Sequence, residues 1–122
     1  MDMKLELVAI PVTDVDRAKA FYVDQVGFVA DQDHRVSDGL RFVQLTPPGS
    51  ACSIVLGEGI TEMAPGTQKG VQIVVADVRA CREELISRGV EASEVQDMPW
   101  GSFTFFADPD GNTWAIQQLP PR

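Results

Sequence analysis

Ile10-Pro11-Val12-Thr13-Asp14-Val15 leads into an amphipathic stretch that stops at Gly27, and it returns as Ile73-Val74-Val75-Ala76-Asp77-Val78, leading into a second amphipathic stretch that stops at Gly89. Asp14 and Asp77 stand 63 residues apart, about half of the 122-residue chain. A strand-helix unit that exposes an apolar face is stabilised by packing on another of its kind. The duplication therefore predicts two such units in a single domain, related by a pseudo-twofold axis, with a cleft where two curved sheets meet.

Working outward from that stretch, a strand over Leu5–Val12 places Val8, Ile10 and Val12 on one face and Leu7, Ala9 and Pro11 on the other. Both faces are apolar, so both are expected to be covered. Thr13 or Asp14 can cap the helix, whose apolar positions Val15, Ala18, Phe21 or Tyr22, and Val26 recur at helical spacing. Phe28–Val36 and Leu40–Thr46 read as strands joined at Ser37-Asp38-Gly39, and Ala51–Gly57 follows the Pro47-Pro48-Gly49-Ser50 turn. This first module, about residues 1–57, has the order βαβββ. A linker of about 58–69 carries Gly and Pro without periodicity.

The second module, about 70–122, repeats the order. Its first strand buries Val71, Ile73 and Val75, and a helix over Asp77–Arg88 presents Val78, Cys81, Leu85 and Ile86. Strands are expected at Glu91–Gln96, Ser102–Ala107 and Asn112–Leu119, the last two joined by Asp108-Pro109-Asp110-Gly111, where Pro presets φ and Gly accepts a positive φ. The fold class is α+β.

Composition narrows the function. Hydrophobic residues make up 44% and charged residues 23%, which argues against disorder. Eighteen acidic against ten basic residues give a net charge of −8 and no basic stripe, so nucleic acid is not an expected partner. No apolar run approaches the ~18 residues of a membrane span, and no basic head precedes an apolar segment, so neither membrane insertion nor secretion is expected. Cys52 and Cys81 are the only cysteines and read as reduced thiols of a cytoplasmic protein.

Val12-Thr13-Asp14, then Arg17-Ala-Lys-Ala-Phe-Tyr22 and a Val26-Gly27-Phe28 helix exit, together with Asp108-Pro-Asp-Gly-Asn112 before the last strand, resemble the vicinal oxygen chelate superfamily. That superfamily includes glyoxalase I, extradiol dioxygenases, epimerases and bleomycin-resistance proteins. The resemblance covers nearly the whole chain. It implies two tandem βαβββ modules forming a cup-shaped mixed sheet with helices on the outside. It also implies, in many members, one divalent metal held by His, Glu or Gln from the first and fourth strands of each module. Counted from the capping aspartates and the Asp-Pro-Asp-Gly turn, those positions fall on Leu7, Gly70 and Ala115, with the remaining one at or near Val55. None of the four can donate a lone pair to a cation. No metal and no other cofactor is therefore expected, and a divalent ion could bind only through different ligands. The sole histidine, His34, sits in the polar run Asp31-Gln-Asp-His-Arg35 and reads as solvated.

By strand alternation Leu7, Ala9, Pro11, Val55, Gln72, Val74, Thr113, Ala115 and Gln117 face the cup, with Gln44 joining from the third strand. Gln72 and Gln117 are candidates to hydrogen-bond a ligand. Phe103 and Phe105 alternate against Phe106, so only part of this aromatic group can line a pocket. Trp100, in a loop before a strand, can stack on a planar ligand or pack at a dimer interface. Trp114 alternates with Ala115 and belongs to the helix-covered core.

The function these residues imply is metal-free binding of an apolar or aromatic small molecule, as in the drug-sequestering branch of the superfamily. Two alternatives stay open. One is an enzyme of the lyase, isomerase, cyclase or dioxygenase type, with or without a metal; the other is a dimeric module whose cup is vestigial. Catalytic residues cannot be named, since no Ser-His-Asp set can be built and neither cysteine has a partner that would favour its thiolate. A homodimer is expected, and pairing of the modules within one chain or across two is equally compatible with the sequence.

Overall fold

In the computed structural model, which describes residues 1–121, the two aspartates of the repeat do the same work. The Asp14 carboxylate accepts from the Arg17 N–H at 3.0 Å, and that of Asp77 accepts from the Ala80 N–H at 3.1 Å. Each satisfies an N–H that the first turn of its helix would leave unpaired. The helices they open are α1 (Val15–Ala20) and α2 (Val78–Ser87). α1 continues as a π-helical segment, Phe21–Val26, which ends on Gly27 in the left-handed region at φ 96°.

The strands are β1 (Leu7–Ala9), β2 (Val29–Ser37), β3 (Leu40–Thr46), β4 (Ser53–Glu58), β5 (Val71–Val74), β6 (Gln96–Met98), β7 (Gly101–Ala107) and β8 (Thr113–Gln118). They form two four-stranded sheets, β1-β4-β3-β2 and β5-β8-β7-β6. β1 runs parallel to β4 and β5 parallel to β8, and the other pairs are antiparallel. Each sheet is one βαβββ module, as the repeat predicts.

Two strands depart from expectation. β1 is shorter than Leu5–Val12: its ladder ends at the Ile10 N–H to Val55 carbonyl bond, and the next carbonyl, that of Pro11, accepts from the Gly66 N–H instead. β6 lies at Gln96–Met98 rather than Glu91–Gln96. Upstream of it the Ser93 carbonyl is taken by Arg82 Nε at 2.7 Å and Thr104 Oγ1 at 2.7 Å. Side chains there replace the regular backbone ladder.

One core serves both sheets. Ile10, Val43, Leu45, Ile54 and Leu56 of sheet one meet Phe106, Trp114 and Ile116 of sheet two, with Ala18, Phe21, Tyr22, Val78 and Leu85 from the helical segments between them. Phe21 lies 6.2 Å from Phe106, and Tyr22 lies 5.7 Å from Trp114, between ring centroids. If β1 and β5 lay edge to edge, α1 over β4 would be four strand spacings from Phe106 on β7, about 19 Å. No side chain spans that. The modules therefore meet through their helix-covered faces. The expected cleft does not close within the chain, and the two uncovered faces look away from each other. Among the described residues no helix is long and apolar enough to cross a membrane.

The modules are joined by a buried polar node. Tyr22 donates its hydroxyl to Asp108 Oδ2 at 2.8 Å and accepts from Trp114 Nε1 at 2.9 Å. Asn112 Nδ2 bridges Asp108 Oδ2 and the Pro11 carbonyl, both at 2.8 Å, while the backbone N–H groups of Asp110 and Asn112 donate to Asp108 Oδ1. Burial, and then the Asp108 charge, hold the Tyr22 phenol far above its ordinary pKa.

Replacing Tyr22 with Phe leaves Asp108 and Trp114 each one partner short. The expected cost is about 1–3 kcal/mol at pH 7, read as a lower urea midpoint. An unfolded tyrosine ionises near pH 10 and the folded one does not. The contribution of Tyr22 is therefore complete below about pH 10 and is lost as the pH rises further. The wild type is expected to lose stability above pH 10 faster than Tyr22→Phe, and parallel profiles would show that this phenol is not the source. Tyr22 is the only tyrosine, so its ionisation can also be followed by absorbance without interference from another.

Candidate functional site

The uncovered face of sheet two is built from paired rows of side chains. Strand register sets Gln72, Ala115 and Phe105 in one row and Val74, Gln117, Phe103 and Gln96 in the next. The Phe103 and Phe105 rings stack with centroids 6.0 Å apart and planes within 6°. Together with Gln72, Gln96, Met98, Trp100 and Ala115 they line a cavity of about 270 Å³. Trp100 is 63% exposed, Met98 42% and Phe105 40%. Large apolar side chains gathered in one exposed place mark a contact surface.

This face is stiffened from within. Gln117 accepts from Gln72 Nε2 at 2.6 Å and donates Nε2 to the Trp100 carbonyl at 2.9 Å. The strand alternation that aims Gln117 at this face is present, yet its amide is spent on the Trp100 loop. Gln72 keeps its own carbonyl oxygen for a ligand. Gly101 follows at φ 143°, and a Cβ there would stand 2.7 Å from the Gln118 carbonyl oxygen and 2.9 Å from Gln117 Nε2. Only glycine allows this approach, which holds Trp100 at the rim.

The uncovered face of sheet one carries Leu7, Ala9, Val55 and Gln44. Ala9 pairs with Val55, Val55 with Gln44, and Leu7 with Ser53. Val55 is buried, whereas Leu7, Ala9 and Gln44 are half-buried. Gln44 donates to Ser53 Oγ at 3.2 Å, and Ser53 Oγ shares a 2.6 Å bond with Thr46 Oγ1. The ten candidate residues thus fall into two groups on opposite sides of the protomer: Leu7, Ala9, Gln44 and Val55 on one, and Gln72, Trp100, Phe103, Phe105, Ala115 and Gln117 on the other.

Phe106 and Trp114 stack in the core, as their alternation requires. Gln96 and Met98 were missed because β6 starts later than its hydrophobic pattern indicates. Once β6 is placed, the Gln96–Phe103 and Met98–Gly101 pairs put both on this face.

Register also locates the four positions at which the resemblance implies metal ligands. Val55 stands opposite Ala9 as Ala115 stands opposite Gln72, which makes Val55 and Ala115 equivalent fourth-strand positions. Leu7, Val55 and Ala115 offer hydrocarbon. Gly70 lies at φ 74°, where any side chain is strained. A divalent ion needs several N, O or S donors, and these residues do not fit one. Among the described residues no group of three or more His, Cys, Asp or Glu is placed to hold a metal ion.

The most strongly shifted carboxylate of sheet one, Asp33, lies elsewhere. Asp33 is opposite core-facing Val43 and accepts from Arg41 Nε and Nη2 at 3.0 and 2.8 Å and from Lys19 Nζ at 2.9 Å. Arg41, and then Lys19, keep it well below the usual carboxylate range. It ties β2 and β3 to α1. His34 is exposed. Burial raises the Cys81 thiol pKa, so the neutral form is favoured. No acid, base or nucleophile lines the aromatic cavity.

Comparison with known proteins agrees with this architecture. The Glyoxalase/Bleomycin resistance protein/Dioxygenase superfamily matches residues 4–116. TnmS3, an antibiotic binding protein from Streptomyces sp. CB03234, is 34% identical, with 98% of each chain covered and a TM-score of 0.89. A glyoxalase/bleomycin resistance protein from the same organism is 36% identical, over 94% of this chain and all of that one, with a TM-score of 0.84. The uncharacterised protein YetH of Bacillus subtilis (strain 168) is 26% identical over 97% of this chain and its own full length. With its two βαβββ modules, helix-covered core and uncovered aromatic face, the chain belongs to the glyoxalase/bleomycin resistance protein/dioxygenase superfamily.

Proposed function

We propose that this protein binds an apolar, planar small molecule of the antibiotic type, without a metal and without transforming it. The observation that carries this reading is the stacked Phe103–Phe105 pair beside exposed Trp100, on a sheet whose inherited ligand positions hold no donor atoms. Flat π-faces and a rim indole hold a planar molecule by stacking and by exclusion of water. Gln72 supplies one directional hydrogen bond. The antibiotic-binding relative TnmS3, at 34% identity over nearly the whole chain, supports the same class of ligand.

A cavity of about 270 Å³ falls below the usual range of drug-sized sites, about 300–1,000 Å³. The site is completed by a second copy, whose Leu7, Ala9, Val55 and Gln44 face supplies the opposite wall. An isologous dimer brings each type of face against the other twice, giving two equivalent cups. The free thiols of Cys52 and Cys81 suit a reducing, cytoplasmic setting.

Isothermal titration with planar aromatic antibiotics tests the site. Trp100→Ala and Phe105→Ala are each expected to weaken binding about tenfold or more, equivalent to about 1.4 kcal/mol. Unchanged affinity in both would remove this face from consideration. About one equivalent of Zn, Ni, Fe or Mn in protein purified without a chelating tag would overturn the metal-free reading.

Gln117→Leu should weaken the same ligand about fivefold although its amide is turned toward the protein, because it releases the Trp100 loop. Hydrogen exchange is the independent readout: the amides of Trp100 and Gly101 should exchange about tenfold faster in Gln117→Leu. Equal exchange rates would show that Gln117 does not hold that loop.

A further inference from the structure

The pseudo-twofold axis relates the Tyr22 node to a second place in the core, and no equivalent ring fills that place. Offsets taken from the two helix caps and from strand register pair Tyr22 with Leu85, Ala18 with Cys81, Trp114 with Ile54, Phe106 with Leu45, and Asp108 with Pro47. At the first, five aromatic rings (Phe21, Tyr22, Phe28, Phe106 and Trp114) and a buried carboxylate occupy the space between the modules. At the other, each of the paired rings and the carboxylate is replaced by a smaller or apolar group.

A cavity of about 500 Å³ lies there, between the Pro47–Ser50 turn, β5 and α2. Phe28, Ile73, Leu85, Ile116 and Cys81 are among its walls, and none of its lining residues is ionisable to a charge at neutral pH apart from the thiol. It belongs to neither uncovered face in its main walls, since Leu85 and Ile116 are core residues.

We propose that this inter-module cavity is a second binding site, for an uncharged apolar molecule of one or two fused aromatic rings. Three features define that occupant. The volume exceeds the lower end of the range for small-molecule sites. A lining without formal charge excludes ions, since a buried charge without a partner is strongly disfavoured. The related end of the core accommodates a phenol ring, Tyr22, at the equivalent position, so the backbone frame between the modules is already shaped for a ring that Leu85 does not supply. A mostly apolar lining with a few polar groups suits an apolar guest. Gln72 is the one residue this site shares with the proposed cup on sheet two.

Indole is the probe. In wild-type protein, titration is expected to shift the methyl resonances of Ile73, Leu85 and Ile116 to saturation. It should also slow alkylation of Cys81 by iodoacetamide at least fivefold, followed by peptide mass spectrometry. Trp100→Ala should keep both responses, which separates this site from the aromatic face. Leu85→Tyr builds the missing ring into the chain and should abolish both responses while leaving antibiotic binding at the cup unchanged. Shifts confined to the aromatic face of sheet two, an unchanged Cys81 rate in the wild type, or persistence of both responses in a folded Leu85→Tyr protein would overturn the proposal. If Leu85→Tyr does not fold, the wild-type Cys81 rate and methyl shifts decide alone: protection and saturation support the site, and their absence rejects it.

Discussion

The arrangement of the two modules depends on one buried carboxylate. Asp108 is almost fully buried, and its desolvation is offset by donors from both halves of the chain: Tyr22 from module one, and Asn112 with two backbone N–H groups from module two. A buried anion deprived of one donor costs more than a neutral bond contributes. The node therefore penalises any displacement of α1 across sheet two. Trp114 donating to the Tyr22 oxygen directs that hydroxyl toward Asp108, so the aromatic core and the polar node fix each other. With the helix-covered faces held together in this way, the opposite faces are left uncovered.

The sequence carries the fold through local signals that are strong here: capping aspartates at repeat spacing, Gly27 after a helix, and Asp-Pro-Asp-Gly before a strand. Those signals state what each segment does and not what it meets. Asp108 reads as a turn residue because its partners Asp110 and Asn112 are local. Its tertiary partner Tyr22 lies 86 residues away, where no spacing rule reaches. Strand β1 likewise shows two apolar faces and so predicts cover on both, yet alternation cannot say that one cover is the chain's own second module. Gln117 shows the same limit within the site. Period-two alternation places it on the right face, and only the structure shows its amide bonded to Gln72 and to the Trp100 carbonyl.

The departures from the inherited pattern are more informative about function than the matches. A Gly at position 70 with φ 74° removes more than a ligand: it places the start of β5 in a backbone conformation that a histidine would enter only with strain. Restoring one donor by substitution therefore would not restore a metal site. The same sheet has instead gathered Phe103, Phe105, Met98 and Trp100, which offer apolar shape and dispersion rather than a fixed donor atom. Under the proposed function such a surface would tolerate variation in the guest, whereas a reaction needs one carbonyl or hydroxyl held at a defined point.

An exposed aromatic cluster normally invites promiscuous association. Two features restrain it here. The net charge of −8 makes unspecific approach of two copies unfavourable at long range, and the Gln117–Trp100 and Gly101 contacts keep the rim indole in one place rather than free to adapt to any surface. Only a complementary face can then bury the cluster closely enough to overcome the repulsion. The outer face of sheet one, with Leu7, Ala9 and buried Val55 beside a Gln44–Ser53–Thr46 hydrogen-bonded row, offers apolar area and few unpaired polar groups. Divergence of the two modules after duplication thus has a physical consequence at both levels of the molecule. Within the chain it concentrates polar fastening at one place in the core and leaves space at another; on the outside it makes the two free faces different, one aromatic and one aliphatic.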